Sequence, residues 1–248
     1  MDGKYINRVT LYKKIEEESY LTGLPVVEYL TKNKCITFDH DVTFFVGENG
    51  TGKSTLIEAI AVAYGFNAEG GSKNFNFTTS RTHSNLYEYL RLAKNKYPKD
   101  GFFFRAESYY NFATNMDELD KEGGGPPIKN SYGGISLHNQ SHGESFLALI
   151  QNRLSGNGLY IFDEPEAALS PSKLLVLLIE MNSLVKNNSQ FIIATHSPIL
   201  MAFPGSKVLE FSENGIEKVP YKDTRHFEIT KLFINNPERM LEKILEEK

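Results

Sequence analysis

The sequence has no tryptophan, a single cysteine and no long apolar run. With Cys35 alone, no disulfide bond can form within the chain, which is typical of proteins from a reducing compartment. Its neighbours Ile36 and Phe38 indicate a small core residue rather than a reactive thiol. No stretch reaches the roughly 18 apolar residues that a membrane-spanning helix requires, and the N-terminus lacks the apolar segment of a secretory signal. We therefore expect a cytoplasmic protein.

An excess of positive charge is also missing, since 27 Lys and Arg residues stand against 31 Asp and Glu residues, for a formal net charge of -4. This balance excludes a uniformly basic protein that coats DNA, although it allows a local basic patch. The length of 248 residues predicts one domain, residues 1–248, with a subsidiary lobe at about residues 66–140. No heptad run lies between Ser54 and Ser141, so we expect no long coiled-coil arm.

Strands and helices are predicted to alternate along most of the chain. Strands are expected at residues 5–12, 36–38, 42–46, 159–162 and 190–195, a hairpin at 208–219, and helices after residue 53 and at 85–96, 141–154, 174–179 and 237–248. The alternation indicates an α/β fold with a mostly parallel sheet flanked by helices. We also expect an N-terminal antiparallel β part and a small helical lobe. The aromatic stretch 102–112 would form the core of that lobe or a surface for a partner.

A glycine-rich loop between the strand 42–46 and the next helix fits the pattern G-x-x-x-x-G-K-[ST] without a mismatch. Its glycines let backbone N–H groups turn towards phosphate oxygens, and the following helix points its positive end at the same place. Lys53 would contact the β- and γ-phosphates of ATP, and Ser54 would bind Mg²⁺. The predicted nucleotide-binding residues of this loop are Gly47, Asn49, Gly50, Thr51, Gly52, Lys53, Ser54 and Thr55.

Two further apolar strands end in residues suited to phosphoryl transfer. Asp163 and Glu164 follow the strand 159–162. Asp163 would hold Mg²⁺, and Glu164 would act as general base on the attacking water. His196 follows the strand 190–195, at an edge where open α/β sheets bind ligands, and it would bond the γ-phosphate. We therefore predict Glu164, His196 and Lys53 as the catalytic residues.

In the order of these motifs the sequence resembles the ABC-type ATPases, over most of the chain. Residues 141–145, Ser-His-Gly-Glu-Ser, lie where that family carries its signature Leu-Ser-Gly-Gly-Gln, and the serine and second glycine match. Ser141 and Glu144 also form a capping-box pattern at a helix start. The resemblance implies that Ser141 and Gly143 bind the γ-phosphate of ATP held by another subunit. It thus implies a head-to-tail homodimer with two ATP molecules between its subunits.

Residues 163–169, Asp-Glu-Pro-Glu-Ala-Ala-Leu, resemble the stand-alone and repair- or defence-associated branches of the family more than transporter subunits. The sequence departs from the family pattern in one respect, since no glutamine lies between the phosphate loop and the signature. The candidates for its place are Asn67, Asn74, Asn76 and Arg81. The aromatic residue expected to stack on adenine also stays open among Tyr5, Tyr12, Tyr20 and Tyr29.

Three functions remain open from the sequence. The first is an Mg²⁺-dependent ATPase dimer that drives a complex acting on nucleic acid or controls a soluble effector protein. The second is the nucleotide-binding subunit of a membrane transporter, which the partial signature and the missing glutamine disfavour. The third is a slow ATP-sensing switch, although none of its catalytic residues is missing.

Overall fold

The computed structural model describes residues 4–33, 35–72, 84–122 and 141–246, together with Asn130 and Gly134. Nine strands and eight α-helices lie in these ranges. The strands are β1 (Ile6–Leu11), β2 (Cys35–Thr37), β3 (Val42–Gly47), β4 (Leu90–Lys94), β5 (Asp100–Arg105), β6 (Gly158–Asp163), β7 (Gln190–Ala194), β8 (Lys207–Ser212) and β9 (Gly215–Val219). The helices are α1 (Pro25–Asn33), α2 (Lys53–Tyr64), α3 (Tyr109–Glu122), α4 (His142–Arg153), α5 (Pro171–Lys186), α6 (Pro198–Met201), α7 (Arg225–Asn235) and α8 (Pro237–Glu246).

The larger sheet has the strand order β5-β6-β7-β3-β8-β9, and all its neighbours are parallel except the β8–β9 hairpin. Every residue of β3, β6 and β7 is buried. Strands covered on both faces are continuously apolar, which explains the unbroken hydrophobic runs of the sequence. Because these three strands are adjacent and parallel, the residues that follow them meet at one edge of the sheet.

Two hydrophobic cores cover the two faces of the larger sheet. Along β3, Phe45 points into a core with α2 and the smaller antiparallel sheet, which has the order β2-β1-β4. Phe44 points into the opposite core, where Phe146 of α4 and Leu177 of α5 pack. The expected N-terminal antiparallel part is therefore confirmed, and it lies over the helix that follows the phosphate loop.

The helix predicted at residues 85–96 is wrong. A 3-10 helix at Asn85–Tyr89 leads directly into β4. β4 pairs with β1, where Leu92 lies opposite Val9 and Arg91 opposite Thr10. This pairing outweighs the helical preference of Leu, Arg, Ala and Lys, since tertiary context overrides weak local propensities.

The aromatic run Phe102–Phe104 forms the middle of β5 in the larger sheet and is fully buried. Its assignment to a lobe core or to a docking surface is therefore wrong. Within the range predicted as a subsidiary lobe, 66–140, β4 and β5 belong to the two sheets and α3 supplies a helical part. Residues 73–83 and most of 123–140 lie outside the described part of the chain.

Helix α5 is buried on one side only, since the side chains of Leu175 and Ile179 are largely exposed. The apolar run 174–179 predicts a buried helix, and that prediction holds for one face of α5 only. On α8 the charged residues from Glu238 to Lys243 are exposed, and Leu241 and Ile244 are exposed as well. Among the described helices, none is long and apolar enough to cross a membrane.

Candidate nucleotide-binding site

The glycine-rich loop connects β3 to α2, as predicted. Gly47, Gly50 and Gly52 have φ angles of 131°, 83° and 91°, in the region that favours glycine. Space demands glycine too: a Cβ on Gly47 would lie 2.1 Å from the carbonyl oxygen of Phe211, and one on Gly52 would lie 2.5 Å from Cγ1 of Val26. The loop conformation is therefore set by backbone geometry and by close neighbours on both sides.

Lys53, the first residue of α2, is almost completely buried beneath the loop. Its Nζ donates to the carbonyl oxygens of Gly47 at 2.7 Å and Glu48 at 2.8 Å. Burial lowers the pKa of Lys53, and the carboxylates of Glu164 and Asp163 oppose that shift. The ammonium group is thus held at the point where the loop carbonyls and the acidic pair converge.

Asp163 ends β6 and is buried, which raises the pKa of its carboxyl to about 7, although Arg105 and a hydrogen bond from Ser54 counteract the rise. Its Oδ1 atom has no hydrogen-bond partner among the described residues. Buried polar atoms are normally satisfied, so an exception calls for an explanation. A carboxylate oxygen and a serine hydroxyl suit a hard divalent cation, and the residues present therefore fit Mg²⁺.

Glu164 and His196 lie next to each other in the wall of an open cleft of about 520 Å³ beside the loop. Glu164 adopts a left-handed conformation with φ of 51°, held by the bond from its N–H to the carbonyl of Ala194 at 3.0 Å. His196 follows β7, and its Nε2 lies 3.6 Å from Oε1 of Glu164. A strained backbone of this kind is found mainly at functional sites.

The structure brings most of the predicted residues to this cleft. Its lining includes Asn49, Gly50, Gly52, Lys53, Ser54, Thr55, Glu107, Glu164 and His196. Gly47 and Thr51 line a second cleft, which shares Asn49 and Gly50 with the first and also contains Arg225 and His226. Asp163 lies below the first cleft, next to Ser54.

Ser141 and Gly143 do not line either cleft. Ser141 caps α4, and its N–H donates to Oε2 of Glu144 at 2.9 Å, which confirms the predicted capping box. A Cβ on Gly143 would lie 2.7 Å from the carbonyl oxygen of Ala168, in the 3-10 helix Pro165–Ala168. Gly143 therefore allows the start of α4 to pack directly on the segment that follows the acidic pair.

Sequence reasoning missed Arg105 and its partners. Arg105 ends β5 and lies opposite Asp163 in the sheet register. Its guanidinium bonds the buried Glu58 of α2, lies 3.1 Å from Oε2 of Glu107, and places Nε 3.9 Å from Oδ2 of Asp163. One signal in the sequence could have found them. Arg105 and Glu107 follow an apolar run, just as Asp163, Glu164 and His196 follow the apolar runs of the other two strands of the site.

Of the four candidates for the missing glutamine, Asn67 accepts a bond from the N–H of Glu69 at 2.9 Å and does not line either cleft. Asn74, Asn76 and Arg81 lie outside the described residues. Glu107 lines the cleft instead.

None of the tyrosines proposed to stack on adenine lines either cleft. Tyr5 is buried in a core, and Tyr12 and Tyr20 are exposed elsewhere. Tyr29 packs near Gly215. The first cleft, called the phosphate cleft below, is instead lined by Leu24.

A second group that the sequence did not reveal comes from the start of α7. Nε2 of His226 lies 2.8 Å from Nδ1 of His196. Nη1 of Arg225 lies 3.5 Å from Oε1 of Glu48 in the phosphate loop. On the other side, the backbone N–H of His196 donates to the Glu166 carboxylate. No motif marks α7, so only the three-dimensional structure reveals these contacts.

Two family profiles match the sequence. One, described as "AAA domain", matches residues 27–143. The other, described as "AAA domain, putative AbiEii toxin, Type IV TA system", matches residues 130–202. Together they extend across the phosphate loop, the start of α4, the acidic pair and His196. No curated protein matches the chain in sequence.

Solved structures with a similar fold include cbiO1 from Clostridium perfringens, described as part of the ABC transporter complex cbiONQ. It is 19% identical, the match covers 95% of this chain and 97% of that chain, and the TM-score is 0.52. A second, titled "An inward-facing conformation of a putative metal-chelate type ABC transporter", is 13% identical, with 93% of this chain and 89% of that chain covered and a TM-score of 0.50. At these identities the likeness concerns the fold. The profile matches and the geometry of the cleft identify the chain as an ATP-hydrolysing P-loop enzyme, and the solved structures show that its fold is that of the ABC-type ATPases.

Proposed function

We propose that this enzyme hydrolyses ATP as a head-to-tail homodimer that encloses two ATP molecules. The observation that carries the proposal is the separation of two phosphate-binding elements in one chain. The loop, Glu164 and His196 share a cleft, whereas the capped N-terminus of α4, with Ser141 and Gly143, does not line it. A helix N-terminus is suited to bind an anion. Head-to-tail pairing would let α4 of one copy meet the nucleotide of the other.

Each residue of the cleft has a role that follows from its position. The N–H groups of Asn49, Gly50 and Gly52 and the start of α2 would hold phosphate oxygens, with Lys53 turning from the loop carbonyls to the β- and γ-phosphates. Glu164 would orient and deprotonate the attacking water, and His196 would donate to the γ-phosphate. Ser54 and Asp163 would hold Mg²⁺, which neutralises charge on the phosphates during transfer.

The substitution Glu164→Gln tests both hydrolysis and dimerisation. We expect its turnover of ATP to fall by about 100-fold or more, because the group that positions the water is lost. The variant should convert from a monomer of 28.1 kDa to a dimer when Mg-ATP is added, as measured by analytical ultracentrifugation. The control is Glu238→Gln on α8, an exposed acid away from both clefts. A Glu164→Gln protein that stays monomeric with saturating Mg-ATP would refute the dimer.

We further propose that the dimer works on nucleic acid. Eight of the 27 Lys and Arg residues lie in the segments 4–14 and 90–99, which contain no Asp or Glu, so the remaining 19 stand against all 31 acids. These segments include β1 and β4, which pair side by side, with Arg8 and Arg91 exposed. Arg91 and Lys13 also lie over the ring of Tyr12, at 5.0 and 5.1 Å from its centroid. Such a concentration of positive charge favours a phosphate backbone.

A nucleotide-binding subunit of a membrane transporter is the second candidate, because the two similar solved structures are described as belonging to ABC transporters. Purification of Glu164→Gln with Mg-ATP from the native host separates the candidates. Co-purifying material that nuclease removes supports the nucleic-acid role. A protein partner alone, without nucleic acid, contradicts that role: a soluble partner would indicate effector control, and a membrane-embedded partner a transporter. Turnover by the unsubstituted enzyme below about one per minute would instead indicate a slow ATP-sensing switch.

A further inference from the structure

The two histidines beside the cleft share one hydrogen bond. Nδ1 of His196 and Nε2 of His226 are 2.8 Å apart, and the ring centroids are 4.8 Å apart. Only one of these two nitrogen atoms can carry the shared proton. In a neutral imidazole the position of that proton decides which nitrogen donates on the other side of the ring. The bond therefore determines what His196 presents to the cleft.

The shared proton can lie on Nδ1 of His196 or on Nε2 of His226, and the carboxylate of Glu164 favours one of these two arrangements. Its Oε1 lies 3.6 Å from Nε2 of His196. If His196 carried its proton on Nδ1, the lone pair of its Nε2 would face this carboxylate oxygen, and two acceptors would oppose each other. If His226 donates from Nε2, Nδ1 of His196 is the acceptor and the proton of His196 lies on Nε2. That N–H then faces the negatively charged carboxylate, which is an attractive arrangement.

The far side of His226 selects the same arrangement independently. Nδ1 of His226 is buried and has no hydrogen-bond partner among the described residues. If His226 donates from Nε2, its Nδ1 carries no proton and is left as an acceptor without a donor. The opposite arrangement would bury an N–H group without an acceptor, and orphaned buried N–H groups are the rarer of the two. Burial also lowers the pKa of both histidines, which agrees with neutral rings.

The fold holds His226 firmly in this place. It lies in the first turn of α7, whose N-cap Thr224 is completely buried and accepts from the N–H of Phe227 at 3.3 Å. The N–H of the neighbouring Arg225 donates to Glu210 of β8 at 3.0 Å. The ring of His226 is thus fixed relative to the sheet on which His196 stands.

We propose that His226 is a positioning residue: by donating from Nε2 to Nδ1 of His196, it fixes His196 as the Nε2–H tautomer and aims that N–H into the phosphate cleft. The proposal rests on the function given above, in which His196 contacts the terminal phosphate of ATP. It assigns a part in hydrolysis to α7, which follows all the motifs recognised in the sequence.

The tautomer is tested first, without nucleotide. Long-range ¹H–¹⁵N NMR spectra of protein labelled in its six histidines distinguish protonated from bare ring nitrogens, and loss of signals in His196→Gln assigns the resonances. We expect His196 to be protonated on Nε2 and bare on Nδ1. In His226→Phe only the longer 3.6 Å contact with Glu164 still favours the Nε2–H form, so the Nδ1–H tautomer of His196 should appear beside it. His226→Gln keeps an N–H donor and should keep the single tautomer. A His196 protonated on Nδ1, or a tautomer unchanged by His226→Phe, would overturn the proposal.

Kinetics then distinguish positioning from a structural role. For His226→Phe we expect kcat about tenfold lower, with KM for ATP changed by less than about twofold, since the loop dominates binding. His226→Gln should recover kcat to within about threefold of the unsubstituted enzyme. The control His40→Phe changes a partly buried histidine that lines neither cleft, and it should match the unsubstituted enzyme. Equal losses in the Phe and Gln variants would contradict positioning. Because the NMR result does not depend on turnover, an inactive unsubstituted enzyme would refute the proposed function while leaving the tautomer assignment measured.

Discussion

At the scale of single residues, Asp100 shows how a buried charge is stabilised far from the cleft. It begins β5 and accepts bonds from Arg153 at 2.8 Å, from the N–H of Ser155 at 3.0 Å and from the Tyr160 hydroxyl at 2.9 Å. Burial would raise the pKa of Asp100, but the bonds from Ser155 and Arg153 outweigh it and lower the pKa. The ionised carboxylate therefore ties β5 to the end of α4 and to β6.

We expect Asp100→Asn to lower the free energy of unfolding at pH 7 by about 2 kcal/mol, because charge-assisted bonds are lost. A carboxyl with a lowered pKa stabilises the folded state above its unfolded pKa of about 3.9, and that contribution disappears as pH falls through the folded value. The difference between the two proteins should therefore shrink below about pH 4. Urea unfolding at pH 7, 5 and 3.5 measures it, and a difference that stays constant would contradict the assignment.

Site residues that belong to one local motif were predictable from the sequence. Residues that reach the site from distant parts of the chain were not. The loop residues from Gly47 to Thr55 are defined by local spacing, and they line the two adjoining clefts. Arg105 and His226 reach the site from β5 and α7. Arg105 is 58 positions from Asp163 in the sequence, and His226 is 30 positions from His196. No local sequence pattern encodes contacts over such separations.

At the scale of elements, Arg105 joins three of them: it ends β5, bonds Glu58 of α2 and lies beside Asp163 of β6. The side chain of Glu58 is only 5% exposed, and it also accepts the N–H of Ser84 at 2.9 Å. Removing one partner of a buried ion pair leaves an uncompensated charge, which costs more than removing both.

We therefore expect Arg105→Leu to cost about 3 kcal/mol of unfolding free energy, and the double variant Arg105→Leu with Glu58→Gln to recover part of that loss. Glutamine keeps an acceptor for Ser84 but removes the charge. Urea unfolding of the four proteins in the cycle gives the coupling. Glu107→Gln, which changes an exposed partner of Arg105, should alter stability by less than about 0.5 kcal/mol. Additivity of the two substitutions within about 0.5 kcal/mol would rule out the buried pair.

The pattern of apolar residues predicted correctly which segments form strands or helices, except where pairing with a strand distant in sequence determined the structure. The runs at β3, β6 and β7 are apolar and bounded by glycine or polar residues, so their strands were predictable. Residues 85–96 contain good helix formers, yet Leu90–Lys94 form β4 because β1 offers an unpaired edge. A partner strand about 80 positions away in sequence is invisible to a local window.

At the scale of the whole molecule, the net charge of -4 conceals a division between the basic segments 4–14 and 90–99 and an acidic remainder. We expect Arg8→Glu with Arg91→Glu to weaken binding of double-stranded DNA and to make the slope of log K against log salt shallower by about 2. Fluorescence anisotropy at several salt concentrations measures both. The matched control replaces Lys231 and Lys243, on α7 and α8, with glutamate. Equal effects of the two double variants would show that total charge, rather than this strand pair, governs binding.

The attachment of α7 to the cleft has a genetic consequence. All the recognised motifs end at His196, so a stop codon soon after β7 would appear to spare them. Such an allele would nevertheless lose the contacts that His226 and Arg225 make with His196 and Glu48. It would also lose β8, whose Phe211 carbonyl lies against Gly47. Late truncations of this gene should therefore behave as null alleles, and a screen that scores only motif integrity would count them as functional.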